Sequence, residues 1–202
     1  LKNYNDIFLV YADAQTHGKG TKNHSWDSNG DDIYMSICFE VDKINYAKLM
    51  MSASVIILNK LKKEIGHTKQ NLVKIKWPND IYIADKKIAG ILFEKVKYED
   101  KYFMIIGIGI NANRSSEVLK LKNDVEKTNK ITSLFLETNR LHSKEEIIDE
   151  IFFDIKQNVY QSNDENSKNY SELATKRIKN SEWKKKKNSN GIYSWVGIEV
   201  SD

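Results

Sequence analysis

The sequence predicts an α+β fold, a mixed and largely antiparallel sheet packed with helices, on three observations. Residues 33–40 alternate apolar and polar side chains with the period of a strand that buries one face. Short apolar runs then follow one another between residues 73 and 110, separated by turn-forming pairs at 78–79, 85–86 and 99–100, which is the pattern of an antiparallel meander. The stretches 45–63 and 145–159 instead repeat their apolar residues at helical spacing.

In chain order, IFLVYA at residues 7–12 is a short apolar run typical of a buried strand. The polar, glycine-containing residues 13–32 form a long loop. Ile33, Met35, Ile37 and Phe39 then share one strand face, and Tyr34, Ser36, Cys38 and Glu40 the other. In the first helix Ala47, Met50, Met51, Ser54, Ile57, Leu58 and Leu61 recur at helical spacing, with lysines gathered near its C-terminal end, where the helix dipole favours them. Val73, Ile75 and Trp77 alternate with Lys74 and Lys76, and further apolar runs at 81–83, 88–93 and 102–110 complete the meander. Ser143 with Glu146 is a capping-box pattern, and Ile147, Ile148, Ile151, Phe152, Ile155 and Val159 line one face of the helix behind it. Residues 161–169 are polar and read as a linker or an exposed loop. Beyond them lie the lysine run 184–187 and the strand-like GIYSWVGIEVSD. The division expected is a main domain over residues 1–170, then a linker and a partial β domain over 171–202.

A chain of 202 residues buries one substantial core with a small unit beside it. Hydrophobic content of 40% with 30% charged residues, and a mean hydropathy of −0.58, argue for a soluble protein without a spanning helix or a membrane partner. The net charge of +4 is small and scattered; it suits anionic ligands and is weak evidence for nucleic acid. The lone Cys38 points to a reducing, intracellular location, cytoplasmic or organellar. The four histidines show no metal-ligand spacing, so no protein-held metal is expected.

Residues 74–94, KIKWPNDIYIADKKIAGILFE, hold the chain's only proline and put Lys76 and Lys87 near the tips of neighbouring strands. Two cations there can face one anion; the plain alternative is a surface hairpin with solvated lysines. The loop AQTHGKGTKNHSW at 14–26 is a second constellation. Gly18 and Gly20 let backbone amides approach an anion, and Lys19 and Lys22 add charge, as a phosphate-covering lid needs; an ordinary flexible turn is the alternative. The loop lacks the spacing of a P-loop. GIGIN at 107–111 lacks the third glycine of a dinucleotide fingerprint and reads as a strand where a ligand or another backbone comes close.

WPND followed by KKIAGIL, and then IIGIGINAN at 105–113, resemble in order and spacing the signature blocks of the biotin protein ligases. The resemblance runs from about residue 7 to 159. It implies a class II synthetase-like catalytic domain, followed by the start of a C-terminal SH3-like β-barrel. It further implies an enzyme that uses ATP and Mg²⁺ to convert biotin to biotinyl-5'-AMP, and then transfers biotin to a lysine of a biotin carboxyl carrier domain. By this resemblance Lys87 contacts the biotin carboxylate and the α-phosphate. Lys76, Asn79 and Asp80 belong to the nucleotide and metal side, with Asp80 available as a general base, and Asn111 lies near the nucleotide. Gln15 matches a glutamine that contacts biotin, and Gly18, Lys19, Gly20 and Thr21 fall in the adenylate-binding loop. Trp26 matches a family tryptophan, and Gly90 and Gly109 fall in the matched blocks. Thr21 and Asn23 depart from the family's arginine and glycine, and Lys19 replaces an arginine. No winged helix-turn-helix precedes the domain, so nucleic acid is not an expected partner; a homodimer is compatible with the sequence. The competing readings are a lipoate or other acyl-adenylating ligase of the same fold, and a non-catalytic basic module that binds anions or nucleic acid.

Overall fold

A computed structural model describes residues 7–21, 24–28, 31–41, 46–77, 79–115, 130–163, 183–187 and 193–197. It is an α+β fold, as the patterning predicts. Its strands are β1 (Ile7–Ala12), β2 (Ile33–Glu40), β3 (Val73–Lys76), β4 (Asp80–Ile83), β5 (Lys86–Tyr98), β6 (Lys101–Ile110), β7 (Trp183–Lys187) and β8 (Tyr193–Gly197). Its helices are α1 (Tyr46–Ile65), α2 (Leu134–Thr138) and α3 (Lys144–Asn163), with a 3-10 turn at Gln70–Leu72.

The strands form one sheet in the order β3-β4-β5-β6-β2-β1-β8-β7. Every pairing between these strands is antiparallel, and the described parallel contact is a single bridge, Lys87 to Ile131. The meander over β3 to β6 is therefore present, and the register adds what alternation alone leaves open: β6 pairs with β2 and β2 with β1. Side chains directly opposite in an antiparallel ladder share a face. One inner row is accordingly Leu9, Ile37, Ile106 and Phe93. That face packs on α1 through Leu49, Ala53, Ile57 and Leu61 and on α3 through Ile147, Ile151 and Ile155, all buried. The opposite face carries the row Tyr34, Gly109, Gly90, Asp80 and Lys76, and beside it Ser36, Gly107 and Leu92. Among the described residues, then, two helices cover one face and none covers the other, on which the site is built.

Several boundaries differ from the sequence reading by a residue or more, three of them with a structural reason. The β4–β5 turn sits one residue earlier, at Ala84 and Asp85, with Ala84 in the left-handed region at φ 49°. β5 runs on to Tyr98 through EKVKY, because pairing with β6 carries it past its apolar run. α3 extends to Asn163 and so takes in the first residues of the expected linker. The five-residue α2 is capped at Ser133, whose Oγ accepts from the Leu136 N–H at 3.1 Å, and ended by Asn139 at φ 56°. Ser143 Oγ likewise accepts from the Glu146 N–H at 3.3 Å at the start of α3. The lysine run 184–187 lies in β7, which with β8 forms a hairpin joined to β1 through Val10–Ser194 and Tyr11–Tyr193.

Lys60 joins α1 to α3. Its buried ammonium lies 2.8 Å from Glu64 and 2.9 Å from Glu150, while Glu64 also meets His142 Nδ1 at 2.7 Å. Among the described residues no helix is long and apolar enough to cross a membrane.

Candidate active site

On the free face, the strand ends and the loop enclose a cavity of about 180 Å³. Its floor exists because the ladder places glycine opposite glycine. Gly90 pairs with Gly109, and Gly107 stands two residues along on the same face. The missing side chains leave a trough in the sheet, and the indole of Trp26 lies in it. A Cβ on Gly90 would stand 2.7 Å from Trp26 Cζ3, and one on Gly109 would collide with Trp26 Cε2. A Cβ on Gly107 would meet Leu92 at an ordinary 3.5 Å. Trp26 Nε1 is buried there without a hydrogen-bond partner, a donor that a ligand's acceptor would satisfy.

The loop is folded on itself as a small hairpin. The Gly20 N–H donates to His24 O at 2.7 Å and the Trp26 N–H to Gly18 O at 2.7 Å, with a Lys19–Ser25 bridge between them. Gly18 is required here because a side chain would strike the Trp26 carbonyl. Gln15 Oε1 accepts from Ser28 Oγ at 2.9 Å, tying the start of the loop to its end.

Two lysines face the trough, each held by a carboxylate. Lys87 Nζ lies 2.7 Å from Asp80 Oδ1, with both side chains about a quarter exposed, and 5.2 Å from the Trp26 ring centroid. A cation over an indole face is attracted by the ring quadrupole. Lys19 Nζ lies 2.7 Å from Glu94 Oε1 in a more exposed pair. Such a pair contributes little in water, so an arriving anion can take the lysine over at small cost.

Of the residues singled out from sequence, Gln15, Lys19, Gly20, Thr21, Trp26, Asn79, Asp80, Lys87, Gly90 and Gly109 line this cavity. Gly18 lines the adjoining hollow inside the loop. Lys76 is not brought in: it shares the outer face with Asp80 but is exposed, with its ammonium 5.2 Å from the Tyr82 ring. Asn111 is buried beneath the site. Its side-chain amide donates to Thr132 O at 2.9 Å, and its N–H to Ile88 O at 2.9 Å. Asn79 spends its side-chain amide on Ile91 O at 3.0 Å, continuing the β4–β5 ladder. Pro78, Lys22 and Asn23 lie outside the described residues. Gly107, read with Gly109 as a place of close ligand approach, also lines the cavity, as do Glu94, Ser36 and Leu92, which were not singled out. Gly90, Leu92 and Glu94 occupy alternate positions of one strand, so the period of two from Gly90 was the signal that could have found them.

Asp32 and Arg114 form a buried pair beside the C-terminal end of the loop. Arg114 Nε donates to Asp32 Oδ2 at 2.8 Å, its Nη2 binds the same oxygen, and Asp32 Oδ1 accepts from the Ala112 N–H at 2.8 Å. Burial pushes the Asp32 carboxyl up, against the pull of Arg114, the Ala112 amide and the Tyr34 hydroxyl.

Comparison with known proteins agrees with this geometry. The sequence model of the Biotin/lipoate A/B protein ligase family matches residues 1–111. The bifunctional ligase/repressor BirA of Bacillus spizizenii is 39% identical over 113 residues, 54% of this chain and 34% of that protein. Biotin–protein ligase of Homo sapiens is 25% identical over 130 residues, 60% of this chain and 18% of that protein. This chain thus spans about a third or less of these curated relatives' length. Among solved structures, biotin protein ligase from Aquifex aeolicus in complex with biotin and ATP matches with a TM-score of 0.60 at 26% identity, over 76% of this chain and 60% of that one. Biotin protein ligase from Leishmania major in complex with biotinyl-5-AMP shares the fold, with a TM-score of 0.60 at 19% identity over 95% of this chain and 85% of that one. With the family model covering more than half of its length, this chain belongs to the biotin/lipoate A/B protein ligase family.

Proposed function

We propose that the chain carries the adenylation site of a biotin protein ligase, which joins biotin to AMP with release of pyrophosphate and then passes biotin to a lysine of a biotin carboxyl carrier domain. The observation that carries this reading is the glycine trough roofed by a tryptophan loop, with a partly buried lysine at its end. Bringing a carboxylate to the α-phosphate of ATP sets two anions against each other, and fixed cations and amides must neutralise them. Lys87 is placed to hold the acid's carboxylate and the phosphate oxygen that it attacks. Asp80 orients Lys87, and once the lysine is engaged by ligand it is the nearest base for the incoming amine. Lys19 exchanges Glu94 for a phosphate as the loop closes over the mixed anhydride and excludes water from it.

Among the described residues no three His, Cys, Asp or Glu side chains converge. Asp80 and Glu94 are the described carboxylates that line the cavity; Asp80 would be the residue to help hold a Mg²⁺ brought by the nucleotide, and the ion would supply charge neutralisation. The same reading takes residues 1–170 as the catalytic domain and 171–202 as a linker and the start of an SH3-like β part. Biotin is favoured over lipoate because both curated relatives above are named as BirA or biotin–protein ligase. ATP–pyrophosphate exchange with each acid tests this: exchange with biotin and none with lipoate is expected, and the reverse would reassign the substrate.

A further inference from the structure

We propose that Arg114 is a positioning residue that fixes the C-terminal hinge of the tryptophan loop, and so sets the roof of the trough. The functional half of this inference rests on the adenylation reading above. Arg114 stands just beyond β6 and is 2% exposed, and the Asp32 side chain is fully buried. While Nε and Nη2 hold Asp32, the remaining edge of the guanidinium reaches Asp27. Nη1 donates to Asp27 Oδ2 at 2.8 Å and Nη2 to Asp27 O at 3.3 Å. A planar fork holding two carboxylates and a carbonyl at once fixes orientation as well as distance.

Asp27 directly follows Trp26, whose N–H is bonded to Gly18 O. The restraint therefore passes from the sheet through Arg114 to Asp27, to the indole in the trough, and on to the glycine at the other side of the loop. The opposite end of the chain of contacts reaches Lys87. Arg114 O accepts from Ser133 Oγ at 2.6 Å, and the neighbouring Thr132 N–H donates to Lys87 O at 2.9 Å. The roof's hinge and the backbone of the lysine beneath it are thus fastened to the same short strut, residues 130–133.

Truncating Arg114 would leave the buried Asp32 without its counter-ion and would threaten the fold, so the discriminating variant is at Asp27, whose side chain is one-third exposed. Hydrogen exchange is measured on the unliganded full chain, in the parent, Asp27→Ala and Asp27→Glu. Asp27→Ala is expected to speed exchange of the Gly20 and Trp26 amides about tenfold while leaving β2 and β6 amides unchanged, and Asp27→Glu to restore most of the protection. Unchanged loop amides overturn the proposal, as does a rise shared equally by β2 and β6, which would show a general stabilising role. In ATP–pyrophosphate exchange, Asp27→Ala is expected to raise KM for biotin about tenfold, with a smaller change in kcat; an unaltered KM overturns the functional half. A parent protein that supports exchange with neither biotin nor lipoate sinks the adenylation reading, while the amide exchange still decides the hinge.

Discussion

Lys87 sits where the sheet and the tryptophan loop meet, and each of its contacts is specific. Asp80 and the Trp26 ring hold its ammonium, while Lys130, Thr132 and Asn111 hold its backbone. Replacing it with alanine removes the cation but not the backbone bonds. Lys87→Ala should slow single-turnover adenylate formation about a hundredfold or more with unchanged circular dichroism. The glycines allow a sharper contrast. Gly109→Ala puts a methyl group into Trp26 and should weaken biotin binding about tenfold, whereas Gly107→Ala, in open contact with Leu92, should leave affinity within about twofold. Titration calorimetry with biotin on both variants separates them, and equal losses would contradict the trough. Lys87 and the glycines were legible in the sequence because they sit in compact blocks. That Lys76 turns to Tyr82 was not, since two lysines in one hairpin look alike until register and a bulge at Ile81–Tyr82 place them. The Asp32–Arg114 pair carried no local signal at all: its partners are 82 positions apart.

At the scale of elements, α1 and α3 are joined by charge at their edge. Burial by itself would raise the carboxyls of Glu64 and Glu150, but hydrogen bonds from Lys60, with His142 at Glu64 and Lys63 at Glu150, outweigh it and hold both below their ordinary value. A carboxyl whose pKa is lowered on folding contributes stability that is complete above its unfolded value. That contribution is lost as pH falls from about 4.5 through the lowered folded value. Thermal unfolding should therefore show a marked loss of Tm below about pH 4.5 that Lys60→Met flattens. At neutral pH the same variant should cost about 2 kcal/mol, less than for a fully buried pair because Glu150 is half exposed. An acid profile identical in parent and variant would remove these contacts from the account. Most elements could be read from period and capping: β1 matched to the residue and α3 followed its apolar face, whereas in α1 the buried stripe is Leu49, Ala53, Ile57 and Leu61, and Met51, read onto that face, is exposed. What could not be read had no period to show. α2 is too short for one, and the far end of β5 is polar because its side chains face solvent on either side.

For the molecule as a whole, the sheet divides the work between its faces, with helices securing one and a loop completing the other. The pairing order β6-β2-β1 makes this possible by carrying Tyr34 and Ser36 up to the glycines, and it is set by contacts too distant in sequence for alternation to reveal. Ligand that binds only this assembled state must stabilise it by mass action. Biotin at about a hundred times its Kd should add about 2.7 kcal/mol, which for a chain of this size is a rise in Tm of roughly 5 to 10 °C by scanning calorimetry. No rise with biotin, alone or with ATP, would argue against the trough as its seat. The trough also limits how the site can change. Glycine is the smallest residue, so the bed cannot be deepened by substitution, and any engineering toward a bulkier acid has to proceed from the roof. Trp26 is the lever: trimming it enlarges the chamber without touching the sheet, and under the proposed adenylation function the cost falls on how tightly the anhydride is sealed. An orthogonal ligase built on this scaffold would therefore trade substrate range against leakage of its activated intermediate, and both quantities would be tuned at a single loop position.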